Sequence, residues 1–372
     1  MSTTIEKALA AGRKDNNERQ VVFYRLHQPE QETALTTLLQ QYPHITISDA
    51  FEAQVAELIK LRHPTQRLTD PQIRQLINEY LGNTPPSQQG VWVYYPWSYR
   101  LVHILDEAEF IELRTSRNQQ KITTAERNIL ATKKIGVIGL SVGQSVALAL
   151  AMERLCGELR IADFDTLDLS NMNRLRTGIH NVGIRKTVLV AREIAEIDPF
   201  LVVRCYDEGV TDHNIDGFLT ENGQLDILVE ECDGLDIKIL ARHKAKALRI
   251  PVLMDTSDRG MVDVERFDVH PDLPILHGRV PETLRPEEVR TMEGPARMAF
   301  VDSIVNISAL SPKMQSSLQE IGKTITTWPQ LASAVMLGGA AIAHVCRELS
   351  LGENIHSGRY YVDLEQIFKT SK

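Results

Sequence analysis

The sequence predicts an α/β fold, a doubly wound and mostly parallel sheet covered by helices on both faces, preceded by a small α+β domain. Two observations predict it. From Lys134 onward, short runs that are apolar along their whole length (IGVIGL, ELRIADF, LVVRCYD, DILVEE and PVLMDT) alternate with longer segments of helical period. A strand apolar on both sides must be buried on both faces, and crossover helices above and below a parallel sheet provide that burial. The second observation is size: 372 residues, 43% hydrophobic and 24% charged, suffice for a large core and two domains.

In order along the chain, VVFYRL alternates as a short strand, Glu30 to Gln41 and Ala50 to Arg62 carry helical periodicity, and GVWVYYPWSYRLVHIL reads as a β-hairpin around Pro96. These make an N-terminal α+β domain over 1–110, expected to choose the substrate or partner. NTPPSQQG (83–90) is a loop within it, and the polar run Arg114 to Glu126 leads to the second domain, 111–372. There, helices are expected over Val142 to Leu155, Ile184 to Ile197 and Leu235 to Leu248 between the five strands. A last helix is read in TTWPQLASAVMLGGAAIAHV, opened by Trp328 and Pro329. Leu331, Ala334, Val335, Gly338, Ala341, Ile342 and Val345 recur along one of its faces, with small residues near the middle. That face suits either a helix packed on the sheet of its own domain or a close dimer contact.

The net charge of −8 disfavours nucleic acid or an anionic membrane as main partner, since both attract basic surfaces. The N-terminal MSTTIEKALAAGRKDNNER lacks the apolar core of a signal peptide. The longest apolar run, Ala332 to Cys346, is shorter than the roughly 20 residues that span a bilayer. Four cysteines (156, 205, 232 and 346), without a CxxC pair, suggest neither a zinc site nor a disulfide framework, and the reading is of a reducing cytoplasm.

The chemistry is read at the carboxyl ends of the strands. Gly139 ends one strand and Gly143 opens the next helix, so that bare backbone meets a helix N-terminus, where unpaired N–H groups favour a phosphate; Ser141 interrupts the glycine run. Asp163 lies about 20 residues on, at the end of the next strand, where an acid commonly holds ribose hydroxyls in Rossmann-like domains. This much suits NAD, FAD or ATP, and equally a plain strand-to-helix turn. The segments after Asp163 are more specific: DFDTLDLSNMNR and then GIRK put Asn171, Arg174 and Lys186 beyond the same sheet edge. Two cations near a phosphate site suit a triphosphate better than a dinucleotide's pyrophosphate bridge. A solvated loop is the alternative.

The order GLSVG, DFD, DLSN, R, GIRK, EIDP and ECDG resembles the ThiF/MoeB/HesA family, bacterial relatives of ubiquitin-activating enzymes, over 114–270. The resemblance implies an adenylyltransferase that uses Mg-ATP to activate a carboxylate. By the same resemblance Gly139, Ser141, Gly143, Asp163, Asp165 and Asn171 bind the nucleotide, with Asp163 on the ribose. Asn171, Arg174 and Lys186 grip the phosphates, Asp233 of ECDG attends the Mg²⁺, and Arg117 of RTSRNQ reaches the ATP site of a partner subunit in a homodimer. Asp233 also reads as an N-cap for the helix from Leu235. The carboxylate that attacks the α-phosphorus is already ionised, so no general base is needed, and the growing phosphate charge calls for cations instead. With no zinc and four cysteines that read as small buried hydrophobes, the adenylate is expected to pass directly to a nucleophile. The substrate is then a small carrier protein, or a ribosomal peptide being matured into a natural product. A nucleotide-binding scaffold without turnover and an NAD-dependent oxidoreductase share the fold and remain as alternatives.

Overall fold

The computed structural model describes residues 3–6 and 17–369. The chain divides into two compact units between Thr124 and Ala125, inside the polar run that starts at Arg114.

The first unit carries a four-stranded sheet in the order β1-β3-β4-β2, from β1 (Val22–Tyr24), β2 (Thr46–Asp49), β3 (Val91–Tyr95) and β4 (Arg100–Ile104). β3 and β4 are the expected hairpin, β1 pairs with β3 antiparallel, and β2 joins β4 in parallel. Helices Phe51–Arg62 and Asp70–Leu81 bury Phe51, Val55, Leu58, Ile73 and Ile77 in one cluster. Sequence reading passed over β2 and the second of these helices. Thr69 and Gln72 close a capping box at its start.

The second unit holds seven strands in the order β11-β10-β9-β8-β5-β6-β7: β5 (Lys134–Ile138), β6 (Glu158–Ala162), β7 (Val202–Tyr206), β8 (Ile227–Glu230), β9 (Val252–Asp255), β10 (Met261–Glu265) and β11 (Gly358–Tyr361). The five from β9 to β7 are parallel, and the β10–β11 pair adds an antiparallel edge that sequence reading did not foresee. Helices Gly143–Glu153, Lys186–Ile197 and Ala332–Ser350 pack on one another beside one face. Helices Ile215–Thr220 and Leu235–Ala247 bury Phe218, Leu219, Ile239 and Ala241 in the core of the other. Because β5 has β6 on one side and β8 on the other, the strand order reverses at β5, the position beside which open α/β sheets commonly bind their ligands.

The last long helix begins at Ala332, later than expected. Trp328 and Pro329 precede it in an extended segment: Leu331 has φ −118° and ψ 140°, and the Asn173 side chain donates to the Gln330 carbonyl at 2.7 Å. Tertiary anchoring thus keeps this stretch out of the helix. Its small residues serve a contact inside the unit. Gly338 lies against the Asp255 carboxylate and Gly339 against Ser145, whose hydroxyl donates to the Val335 carbonyl at 2.9 Å. Leu331 is exposed.

Candidate functional site

The loop after β5 is fixed by its neighbours. Gly139 adopts φ +85°, and a Cβ there would come within 2.7 Å of the Cys232 nitrogen and 2.8 Å of the Glu231 carbonyl carbon. The loops after β5 and β8 therefore touch backbone to backbone, which only glycine allows. Gly143 has a different reason: a Cβ would meet the Val137 side chain at 2.6 Å, so this glycine seats the helix on its strand. Asp163, buried at the end of β6, accepts the Leu140 N–H through Oδ2 at 2.7 Å and the Asp165 N–H through Oδ1 at 2.8 Å. One carboxylate thereby ties the glycine loop to the strand end beside it, and burial pushes its pKa above the ordinary carboxylate value.

Two cations stand at this edge, in opposite electrostatic settings. Lys186, buried at the start of its helix, donates to Asp165 Oδ2 at 2.7 Å and lies 4.0 Å from Asp163 Oδ1. Arg174 is half-buried and its three hydrogen bonds go to neutral oxygens: Nε and Nη2 to Ser141 Oγ at 3.1 and 2.7 Å, and Nη1 to Asn173 Oδ1 at 3.0 Å. Burial lowers its pKa, and the charge of Asp233 opposes that shift without an ion pair between the two. Asp233 itself is exposed and caps no helix, because the N-cap of Leu235–Ala247 is Gly234. Asn171 stands in a short 3₁₀ turn, where its Oδ1 accepts the Asp168 N–H at 3.1 Å. Arg117 sits on another such turn, Ser116–Asn118, and belongs to the first unit, whereas the glycine loop and both cations belong to the second.

Sequence reading missed several residues around this edge. Gln144, second in its helix, clamps the backbone of Arg176. Glu231 is buried after β8 and accepts the Asp255 N–H at 2.9 Å. Asp255 Oδ2 and Ser257 Oγ are buried without a hydrogen-bond partner at the end of β9, where burial raises the Asp255 pKa to about 6. Ser257 lines a cavity of about 410 Å³ whose apolar wall includes Met314, Leu331 and Leu337. A second cavity, of about 400 Å³, has Arg174, Asn173 and Trp328 on its wall, and Pro329 borders both. For Glu231, Asp255 and Ser257 the only sequence signal was a polar residue at or just past the end of an otherwise apolar strand, and Gln144 gave none.

Among the described residues, no three or more His, Cys, Asp or Glu side chains form a group able to hold a metal ion, and no helix is long and apolar enough to cross a membrane. None of the four cysteines forms a disulfide; burial pushes the thiols of Cys156, Cys232 and Cys346 up, the reverse of what a nucleophilic thiolate requires.

The ThiF family model matches residues 115–327, more than half of the chain, a span that runs from the turn bearing Arg117 through β10. The chain belongs to the ThiF family. Its relatives include the uncharacterized protein MT1398 of Mycobacterium tuberculosis (strain CDC 1551 / Oshkosh), 41% identical over 273 residues, which are 73% of this chain and 38% of that protein. The tRNA threonylcarbamoyladenosine dehydratase of Bacillus subtilis (strain 168) is 27% identical over 156 residues, 41% of this chain and 60% of that protein. The ubiquitin-like modifier-activating enzyme 5 of Arabidopsis thaliana is 32% identical over 91 residues, 24% of this chain and 21% of that enzyme. Each match takes in less than two thirds of the relative's own length.

Proposed function

We propose that this ThiF-family chain is an ATP-dependent adenylyltransferase that activates a carboxylate of a peptide or small carrier protein and releases pyrophosphate. The observation that carries the reading is Arg174: a half-buried guanidinium at the switch-point edge whose hydrogen bonds satisfy no carboxylate. A cation held that way is ready for an anion, and the hydroxyl of Ser141 is easily exchanged for a phosphate oxygen. Lys186 supplies a second charge from the helix opposite. The Asp163 carboxylate has about four acceptor sites, two of them filled by amides, which leaves room for a ribose hydroxyl.

In the proposed step the substrate carboxylate forms a bond to the α-phosphorus. The bond from that phosphorus to the bridging oxygen breaks, and pyrophosphate leaves with the electron pair. Arg174 and Lys186 neutralise charge as it grows on the transferring and departing groups. Mg²⁺ typically needs only one or two protein carboxylates beside the substrate's phosphates, so the exposed Asp233 would suit one that arrives with the nucleotide, where the ion would supply Lewis-acid charge neutralisation. The apolar cavity beyond Pro329 suits the substrate's side chains. A ubiquitin-like modifier, named for the plant relative, suits the substrate class; a tRNA substrate, as the bacterial relative's name indicates, is disfavoured here by the net charge of −8. A homodimer with Arg117 acting across subunits belongs to the same proposal.

The test is ATP–pyrophosphate exchange driven by candidate peptides and carrier proteins. Arg174→Ala should slow exchange about 100-fold. Unchanged exchange in that variant would sink the assignment. Nucleotide binding with no exchange for any substrate would favour the scaffold reading, which draws on Ser141 already occupying Arg174.

A further inference from the structure

We infer that Gln144 is a positioning residue for Arg174, itself held in place by Glu193. The inference rests on the proposed role of Arg174 and names what sets its position. Gln144 is buried, and its amide makes three hydrogen bonds. Oε1 accepts the Arg176 N–H at 2.8 Å, and Nε2 donates to the Arg176 carbonyl at 3.0 Å and to Glu193 Oε2 at 2.8 Å. The carboxylate partner settles which end is the nitrogen. Both polar groups of one backbone residue are thus gripped by one side chain.

That grip acts two residues from the guanidinium. On the near side of Arg174, its own N–H and that of Leu175 donate to the Asn171 carbonyl at 3.1 and 2.9 Å. Leu175 is buried with Leu167 and Leu189 beneath the loop. On the far side, Gln144 holds Arg176. The backbone that bears Arg174 is therefore pinned before, below and after it, and the clamp comes from the same helix N-terminus that adjoins the glycine loop and Ser141. An arginine on a fixed base reaches a phosphate with little further ordering. Glu193 comes from the Lys186–Ile197 helix, so the helix bearing one cation orients the loop bearing the other.

Glu193 also makes the latch sensitive to pH. Burial, helped by the like charge of Glu196, raises its pKa to about 7 against the opposing charge of Arg176 and the Gln144 hydrogen bond. The carboxylate accepts from Gln144 best when ionised, so the latch tightens above neutral pH and slackens below it.

The experiment measures Mg-ATP affinity by calorimetry for the full chain, Arg174→Ala, Gln144→Ala, Glu193→Gln and the double variant Arg174→Ala/Gln144→Ala, with thermal midpoints as a folding control. Gln144→Ala should weaken binding about tenfold, whereas in the Arg174→Ala background the same change should alter it less than about twofold. The affinity ratio of wild type to Glu193→Gln should fall as pH drops from 8 to 6. If Arg174→Ala alone leaves affinity unchanged, Arg174 does not grip the bound nucleotide and the positioning role falls with that grip, while the adenylation reading is decided separately by pyrophosphate exchange. If Arg174→Ala weakens binding while Gln144→Ala has no effect, or adds its full effect in the double variant, the positioning role is overturned and the reading of Arg174 stands. Should Gln144→Ala fail to fold, the isosteric Glu193→Gln carries the same test at pH 8: it should weaken binding in the wild-type background and not in the Arg174→Ala background, and an equal effect in both, or none in either, overturns the role.

Discussion

Arg174 and Lys186 are given one chemical task yet sit in different electrostatic surroundings, so deleting each should give the same catalytic loss and different stability losses. In Lys186→Ala, buried Asp163 keeps its charge and loses a cation 4.0 Å away. At an effective dielectric constant of about 20 that interaction is worth about 4 kcal/mol, within the range of about 3–5 kcal/mol for breaking one side of a buried pair. For a unit of this size it lowers the thermal midpoint by about 10 °C. The cost has a pH sign. Asp163 already has a raised pKa, and losing Lys186 raises it further, so the folded state binds a proton that the unfolded chain does not. The destabilisation is full above that pKa and fades as pH falls through it. Arg174→Ala, by contrast, removes hydrogen bonds to Ser141 and Asn173, which water can replace, and should cost no more than about 1 kcal/mol at any pH. Thermal melts over a descending pH series, beside exchange assays, decide the matter. Equal midpoints for the two variants near neutral pH, or a Lys186→Ala loss that does not shrink anywhere as pH falls, would refute the reasoning.

The parallel core was legible because its physics is local: IGVIGL, DILVEE and PVLMDT can only be strands buried on both faces, and helical period between them forces crossovers. The antiparallel edge was not. MVDVE in β10 alternates as a half-exposed strand would, yet Asp263 and Glu265 are buried. Arg359 Nε meets Asp263 at 2.6 Å, His277 meets it at 2.9 Å, and Arg242 bridges Glu265 and Glu230 at 2.6 Å each. Partners brought from 12 to 96 residues away satisfy these charges, and no local pattern reveals them. The candidate site divides the same way. Residue types at strand ends pointed to Asp163, Arg174 and Lys186, whereas Gln144 reads as an ordinary helix residue until the fold brings Arg176 and Glu193 to it. The small-residue face of the last helix could not choose between two partners by sequence alone, and the close approach of Gly339 to Ser145 answers for part of it.

Gly139→Ala should destabilise by at least about 2 kcal/mol in urea melts, since it combines φ +85° with a backbone clash; Gly143→Ala, facing only a valine methyl, should cost less. Gly339→Ala should lower the thermal midpoint without changing the oligomeric state, because its Cβ would lie 2.4 Å from Ser145 Oγ inside the same unit; a changed state by light scattering would reassign that face. Asp233→Asn should weaken Mg-ATP turnover with little loss of metal-free nucleotide affinity, and full activity in EDTA would exclude the role. Arg117 lies in the first unit, whereas the glycine loop and both cations belong to the second. If it acts across a dimer, Arg117→Ala and Arg174→Ala are each inactive, yet mixing them restores part of the activity, since subunit exchange rebuilds one intact site per mixed dimer. Arg174→Ala is the suitable partner because its loss leaves no buried charge, whereas Lys186→Ala would confound rescue with unfolding. A monomer by light scattering at micromolar concentration, or no rescue after proven exchange, would show that Arg117 does not act in trans.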